Sequence, residues 1–437
     1  MPHSIARLGK LGNSIAKPLS PYVRSAGIGD GVFHFPPYEI TSFNSSSLAP
    51  RVSLNPFTRG PIMGINRLSS TPFRLSTMAY YPHPITTPAM LVFGQIGQRK
   101  STFVKTYALR HSYLGVPSYI IDPKGEYGNY AEATGIPVID PARGGVTPLA
   151  RIPGVTGVDL AVRRATFVQN LFELYHGRPA SPMESHAILG LMKRMDHIDQ
   201  PILNDVIQRA AANDCDLPPE INPSALPKAL ENIISVLVLC RDELGHVLNV
   251  RPRESDFLAR TKGLVVDVSA WRGESRRFAA VMMSAMSWLT PRLWSNDQKL
   301  LILDEAWAAL EYEPFVRWLQ LNLKLARSFG LTTIVVTHSP RNLGSQSADG
   351  TAAAKIAETI KSEFGTYVVF HLPLEDVAGL SQYGFAPWEL GWIADQRIVA
   401  PGSAYVHVGS WWGLVDSVVT ADELRICDTD AAMRLSR

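Results

Sequence analysis

The fold of this chain is decided by residues 88–102, which read Pro88-Ala89-Met90-Leu91-Val92-Phe93-Gly94-Gln95-Ile96-Gly97-Gln98-Arg99-Lys100-Ser101-Thr102. The pattern predicts a buried strand ending at Phe93, then a glycine-bearing turn, then a helix that begins at Lys100. In that context, backbone N–H groups of the turn and the helix N-terminus surround the phosphates of a nucleotide. The residues expected to bind the nucleotide are Gly94, Gln95, Ile96, Gly97, Gln98, Arg99, Lys100, Ser101 and Thr102.

Three side chains of this loop have distinct expected effects. Lys100 is expected to reach the terminal phosphates, and Ser101 is expected to bind Mg²⁺. The usual motif has glycine immediately before the lysine, whereas this chain has Arg99. A side chain at that position can crowd the phosphates or restrict the backbone angles, and an arginine can equally add a charge-assisted contact to phosphate. The sequence leaves both effects of Arg99 open.

A second motif lies at residues 299–307, which read Lys299-Leu300-Leu301-Ile302-Leu303-Asp304-Glu305-Ala306-Trp307. An aliphatic run that ends in two acids predicts a buried parallel strand whose carboxyl end delivers both carboxylates to the edge of a sheet. Ligands bind at that edge in open α/β sheets. We expect Asp304 to hold Mg²⁺ and Glu305 to orient or deprotonate the water that attacks the terminal phosphate. Together with the first motif, this strand predicts a P-loop NTPase fold.

The amino-acid composition excludes few classes of protein. With 437 residues, the chain is long enough for two or three structural units, and its apolar share of 46% supports a large core. The net charge of +3 neither indicates nor excludes nucleic acid. The three cysteines are widely spaced and odd in number, which fits neither a disulfide framework nor a metal site and favours a reducing compartment. No continuous apolar run approaches about 18 residues, so no transmembrane segment is expected.

The order of patterns along the chain predicts five segments. Residues 1–60 are basic and rich in Ser and Pro, and we expect a poorly ordered leader, with contact to an anionic membrane surface or a partner as the alternative. Strand and helix patterns alternate over 61–155, helical periodicity dominates 156–260, and strands return over 261–425 before a short tail at 426–437. We therefore predict an α/β fold with a mainly parallel sheet, an all-helical insertion and a C-terminal β-rich segment.

The segment Asp122-Pro123-Lys124-Gly125-Glu126-Tyr127 follows a predicted strand that we expect to neighbour the strand of the phosphate loop. In one interpretation, Asp122 contacts Mg²⁺ or the attacking water, while Lys124 and Glu126 relay the state of the nucleotide. In the other, the segment is an ordinary Asp-Pro turn with solvated charges. Spacing alone favours the turn.

Taken together, residues 94–101, 122–127 and 301–307 resemble the motor ATPases of bacterial conjugation and type IV secretion, in the HerA–FtsK branch of RecA-like ATPases. The sequence D-E-A-W is similar to the secretion-energising ATPase rather than to the DNA coupling protein of the same machine. The resemblance covers residues from roughly 60 to 420. It implies a RecA-like core with a helical insertion, ATP and Mg²⁺ as cofactors, and a homo-oligomeric ring, expected to be a hexamer.

The resemblance also implies roles for two further residues. The family commonly has a glutamine where His338 stands, at a position that senses the terminal phosphate. A histidine still hydrogen-bonds phosphate but adds pH dependence. Arg327 falls where the resemblance places an arginine finger that completes the site of a neighbouring subunit. Without the resemblance, Arg327 is a basic residue near a helix end, where the helix dipole favours it.

The function implied by the resemblance is ATP hydrolysis that powers the assembly of, or substrate transport through, a conjugative type IV secretion system. The expected location is cytoplasmic, at the cytoplasmic face of the inner membrane, with membrane-embedded secretion components as partners. One alternative is a DNA-translocating coupling-protein-like ATPase. The absence of basic clusters weakens this alternative. The same absence favours packing over base stacking for Trp411 and Trp412. The other is a non-hydrolysing structural component in which Arg99 and His338 mark lost chemistry.

Overall fold

One mixed sheet organises the residues that the computed structural model describes, which are 55–144, 146–151, 155–251, 257–271, 273–305, 313–340, 361–395 and 400–427. In chain order, its strands are β1 (Ile62–Asn66), β2 (Thr71–Arg74), β3 (Ala89–Phe93), β4 (Ser118–Asp122), β5 (Val138–Ile139), β6 (Leu264–Asp267), β7 (Lys299–Leu303), β8 (Leu331–Thr337), β9 (Thr366–Val369), β10 (Ser403–Val408) and β11 (Trp411–Ser417). Across the sheet, the order is β2-β1-β11-β10-β9-β3-β8-β7-β4-β6-β5.

The centre of the sheet is parallel, as the sequence predicts. Strands β9, β3, β8, β7, β4, β6 and β5 pair in parallel along the sheet, and the remaining pairs are antiparallel. Every residue of β3, β7 and β8 is buried. Strands covered on both faces need continuous apolar runs, and those runs are what made the motifs recognisable in the sequence.

Helices cover both faces of this sheet. Those described are α1 (Lys100–Ser112), α2 (Gly128–Thr134), α3 (Gly157–His176), α4 (Pro182–Arg194), α5 (Leu203–Ala211), α6 (Leu226–Leu248), α7 (Phe257–Arg260), α8 (Ser275–Leu293), α9 (Glu313–Leu325), α10 (Leu374–Val377), α11 (Pro387–Ala394) and α12 (Ala421–Cys427). The start of α4 is a capping box, in which Ser181 and Glu184 exchange side-chain and backbone hydrogen bonds. The sequence pattern also predicts a helix over 351–364, which up to residue 360 lies outside the described residues.

One expectation about strand order is wrong. Strand β4 does not neighbour β3, because β8 and β7 lie between them. It pairs with β7 instead, with Ile121 opposite Leu303. Asp122 therefore ends beside the acidic strand rather than beside the phosphate loop. The patterns of the individual strands do not encode their neighbours, since these depend on how the helical crossovers pack.

Helices α3 to α6 occupy the predicted insertion and share one hydrophobic core with the sheet. Leu171 of α3, Leu191 of α4, Leu237 of α6 and Val281 of α8 are fully buried in the same cluster. The segment Pro223–Leu248 passes a length-and-composition test for spanning a membrane, and it is the one segment of the described residues that does. The sequence prediction named no such segment. Core helices pass the same test, and α6 places nine apolar side chains in this core.

The C-terminal hairpin of β10 and β11 lies inside the sheet, not at its edge. Strand β10 pairs with β9, and β11 pairs with β1, so β2 forms that edge. Trp412 packs against Tyr405 and two other tryptophans, and Trp411 packs against Tyr80. These contacts are the ones expected if Trp411 and Trp412 pack within the protein.

Residues near both ends of the described region are buried, although they fall within the predicted leader and the predicted tail. Phe57 lies within the predicted leader, yet it is fully buried against Phe73. At the other end, Arg110 of α1 forms an ion pair with Glu423 of α12, with the Nε and Oε1 atoms 2.7 Å apart. Cys427, within the predicted tail, is also buried.

Candidate nucleotide-binding site

The predicted phosphate loop lies at the carboxyl end of β3 and leads directly into α1. Gly94 has φ +152°, and a Cβ there would lie 2.6 Å from Cβ of Phe370, so no larger residue fits. The backbone N–H of Gln95 donates to the carbonyl oxygen of His371 at 2.9 Å, which anchors the loop to the segment after β9. The first N–H groups of α1 point into this turn, because helix geometry gives them no intrahelical partner.

Arg99 adopts the backbone conformation that a glycine would adopt. Its φ of 65° and ψ of 25° lie in the left-handed region, immediately before Lys100. Its side chain runs alongside Gly402, where an added Cβ would lie 3.4 Å from Cδ of Arg99. The arginine therefore leaves the loop geometry intact and directs its side chain toward the turn before β10.

Lys100 is held by two contacts inside the site. Its Nζ donates to the carbonyl oxygen of Gln95 at 2.9 Å and lies 3.0 Å from Nδ1 of His338. An ammonium group only donates, so Nδ1 is the acceptor and the ring proton is assigned to Nε2. Burial lowers the pKa of Lys100 to about 8, against the opposing effect of Glu305.

The two acids after β7 have different environments. Asp304 is buried; its Oδ2 accepts a hydrogen bond from the Tyr127 hydroxyl at 3.2 Å, while its Oδ1 has no partner within the described part of the chain. Burial raises the pKa of Asp304 to about 6, against the opposing charge of Lys124. A buried carboxylate oxygen without a donor is suited to a hard cation, so the residues present fit Mg²⁺.

The carboxylate of Glu305 contacts two groups that donate hydrogen bonds to it. Its Oε1 is 2.5 Å from Nζ of Lys124 and 2.5 Å from Nε2 of His338. Burial raises the pKa of Glu305, but hydrogen bonds from His338 and Lys124 outweigh it and lower the pKa to about 2. Its backbone φ of 52° lies in the left-handed region, which is strained for a residue with a side chain.

The segment 122–127 combines parts of both sequence interpretations. Asp122 uses Oδ1 to accept from the N–H groups of Lys124 and Gly125 and Oδ2 to accept from that of Tyr127, at 2.9–3.0 Å. Its carboxylate thus shapes its own turn rather than facing a metal or water. Lys124 is not solvated, since it pairs with Glu305. Glu126 contributes its backbone oxygen, which accepts from Nζ of Lys105 at 2.6 Å.

Lys105 and Tyr127 belong to this site, although the sequence analysis assigned them no role. Lys105 is fully buried, and its Nζ lies 4.6 Å from the centre of the Tyr127 ring. A lysine among the apolar positions of the loop helix is the signal that could have identified it, because a buried lysine needs a partner. Tyr127 had no such signal, since its contact with Asp304 depends on the strand order.

The remaining predicted residues lie at two different places. Ser101 and Thr102 are in the first turn of α1, with Ser101 half-buried and Thr102 buried. Arg327 is exposed in a 3₁₀ turn (Ala326–Phe329) that precedes β8, whereas His338 follows β8. The seven residues of β8 hold the two ends of this strand roughly 23 Å apart. The structure therefore keeps Arg327 away from the phosphate loop of its own chain.

The order of these elements defines a class of protein. The phosphate loop follows β3, the acidic pair follows β7, and His338 follows the strand between them, which is the arrangement of a RecA-like P-loop ATPase fold. The chain matches no protein-family model and no curated protein sequence.

Solved structures share this fold over most of the chain. VirB4 of Thermoanaerobacter pseudethanolicus is 15% identical, with a TM-score of 0.67 covering 84% of this chain and 98% of VirB4. The unbound bacterial conjugative coupling protein TrwBdeltaN70 is 14% identical, with a TM-score of 0.54 over 83% and 90%. Plasmid coupling protein TrwB in complex with the ATP analogue ADPNP is 16% identical, with a TM-score of 0.51 over 83% and 91%. These similarities confirm the predicted fold.

Proposed function

We propose that this chain is an ATPase that powers a conjugative type IV secretion apparatus. The observation that carries the proposal is that Lys100, His338 and Glu305 form one hydrogen-bonded chain. The oxygen of Asp304 that has no partner among the described residues lies at the same carboxyl ends of the parallel strands. The fold shared with VirB4 and TrwB supports it. ATP and Mg²⁺ as cofactors are supported by the TrwB structure that holds an ATP analogue.

Each proposed role follows from the chemistry of the side chain. Lys100 and the loop amides, from Gly94 to Thr102, bind the phosphates through N–H donors and a positive charge. Ser101 and Asp304 hold Mg²⁺, which when bound neutralises charge that develops on the phosphates. Glu305 takes the proton of the attacking water, because a low pKa keeps its carboxylate ionised. His338 senses the terminal phosphate.

A ring of identical subunits, expected to be a hexamer, completes the proposal. We propose that Arg327 acts on the nucleotide of a neighbouring subunit, across the interface between the two. Its position before β8, at the amino ends of the parallel strands, supports this, because the phosphate loop lies at their carboxyl ends. A ring provides such an interface, because one face of each subunit meets the opposite face of the next. We propose that membrane-embedded secretion components dock this ring at the cytoplasmic face of the inner membrane.

The fold comparison favours the secretion motor over the DNA translocase. The TM-score to VirB4 is 0.67, against 0.54 to the unbound coupling protein, at nearly equal coverage of this chain. The geometry also weighs against a non-hydrolysing structural component, because Arg99 keeps the loop conformation that a glycine would have.

The test is steady-state phosphate release with Mg-ATP, with and without DNA. The variants are Lys100→Ala, Glu305→Gln and Arg99→Gly, with Lys228→Met as the control, since Lys228 is an exposed lysine paired with Glu231 outside the site. We expect Glu305→Gln to lose about 100-fold in turnover, Lys100→Ala to lose nucleotide binding as well, and Lys228→Met to match the wild type.

Other outcomes assign the chain to the rival functions. Strong stimulation by DNA, with a steep dependence on salt, would identify a translocase. A silent wild type that gains turnover in Arg99→Gly would identify a structural component. A wild type no faster than Lys100→Ala, with no restoration in Arg99→Gly, would reject hydrolysis altogether.

A further inference from the structure

We propose that Lys124 is a positioning residue that restrains Glu305 in the resting site. This inference rests on the proposed ATPase function and identifies a residue that controls Glu305, the proposed general base. The carboxylate oxygen Oε1 lies 2.5 Å from the Lys124 ammonium. Both side chains are largely buried, with 19% of the lysine and 11% of the glutamate exposed, so solvent screens the pair little.

The turn that carries Lys124 is built to hold it in place. Asp122 accepts three backbone N–H groups within the turn, including that of Lys124 itself. Gly125 has φ +70°, and a Cβ at this position would lie 3.3 Å from Oγ of Ser269. The ammonium of Lys124 therefore reaches Glu305 from a fixed backbone, not from a flexible surface loop.

The same turn is tied to the other two parts of the site. Lys105 of α1, the helix that follows the phosphate loop, donates to the Glu126 carbonyl oxygen at 2.6 Å. Tyr127 donates to Asp304, which directly precedes Glu305. The turn therefore joins the helix of the phosphate loop, through Lys105, to the two acids after β7, through Tyr127 and Lys124.

The restraint has a direct chemical effect on the proposed base. Oε1 of Glu305 already accepts from Lys124 and His338, so less of its lone-pair capacity is left to hold an attacking water. Among the described residues, the other charged groups around Glu305 are Lys100 on the loop helix, Glu126 on the same turn, and Asp304 directly after β7. Release of Lys124 frees Oε1 of Glu305 to accept from the water, while the loop lysine still holds the phosphates.

The experiment measures ATP turnover in Lys124→Met, which keeps the length of the side chain and removes its charge. We expect kcat to rise by between about threefold and about tenfold, with KM for ATP unchanged, because Glu305 is then free to accept from the attacking water. Lys124→Arg should behave as the wild type, because it restores the ion pair. The increase should vanish when Lys124→Met is combined with Glu305→Gln. If Lys124→Met does not fold, Lys124→Gln carries the same comparison.

The outcomes separate this inference from the proposed function. An active wild type with unchanged or lower kcat in Lys124→Met would overturn the restraint and leave the ATPase intact. A change in KM alone, or an equal change in the Glu305→Gln background, would overturn it too, because a merely structural lysine produces those results. Silence in the wild type and in Lys124→Met alike would reject the ATPase itself.

Discussion

The ammonium nitrogen of Lys100 lies 3.0 Å from Nδ1 of His338. The lysine of the phosphate loop is therefore held by a neighbouring strand, and the ring of His338 links it to Glu305. We expect a bound terminal phosphate to take the place of His338 as the partner of Lys100. Nucleotide binding would thereby change the hydrogen bonds of Glu305 without moving any strand.

The tautomer of His338 leads to a prediction about its replacement. A glutamine can accept from Lys100 through its oxygen and donate to Glu305 through its nitrogen, as the neutral ring does. We expect His338→Gln to keep turnover within about threefold of the wild type and His338→Ala to lose about tenfold or more. Steady-state phosphate release checks this. Equal losses in both variants would contradict the bridging role.

Replacing Asp304 should stabilise the protein in the absence of Mg²⁺. Burial raises the pKa of Asp304 from 3.8 to about 6, so the native state binds its proton more tightly than the unfolded state. Stability therefore falls as pH rises from about 4 to about 6. At pH 7.5, Asp304→Asn should gain on the order of 3 kcal/mol in the free energy of unfolding, and the gain should vanish near pH 4.

Urea unfolding at the two pH values measures this effect, with Asp242→Asn on the surface of α6 as the control. With ADP present in both samples, adding Mg²⁺ should raise the thermal midpoint of the wild type more than that of Asp304→Asn. A variant no more stable than the wild type at pH 7.5 would show that another group already satisfies the carboxylate.

Arg99→Gly should relieve backbone strain without weakening the loop. The left-handed conformation costs a residue with a side chain about 1–2 kcal/mol, and the greater freedom of glycine in the unfolded chain offsets up to about 1 kcal/mol of the relief. We expect a net gain of about 1 kcal/mol or less by urea unfolding. Ser70→Gly is the matched control, since Ser70 has φ 52° in a turn outside the site. A loss of stability specific to Arg99→Gly would mean that the packing of the arginine side chain matters more than the strain.

The position of Arg327 predicts complementation between two inactive variants. Arg327→Ala should bind ATP normally but lose hydrolysis, whereas Lys324→Ala, an exposed neighbour at the end of α9, should stay active. An equal mixture of Arg327→Ala and Glu305→Gln should recover activity, because about one quarter of the interfaces in a randomly mixed ring carry both residues. Phosphate release from the mixture checks this, and no recovery would exclude action across subunits.

The sequence by itself determined the local elements on which the fold rests. Fully buried strands must be continuously apolar, so β3 and β7 were recognisable as short runs that end in functional residues. Glycines and the lysine–serine pair fixed the turn before α1 within one residue. These features are local, since each depends on the chemistry of adjacent residues.

Only the tertiary structure decided which of these elements meet. The chain gives no signal that β8 and β7 separate β3 from β4, and Lys124 reaches Glu305 because of that order. The same order brought Tyr127 to Asp304. Contacts between residues 177 or more positions apart depend on how helices pack on a sheet, and that packing is a property of the whole chain.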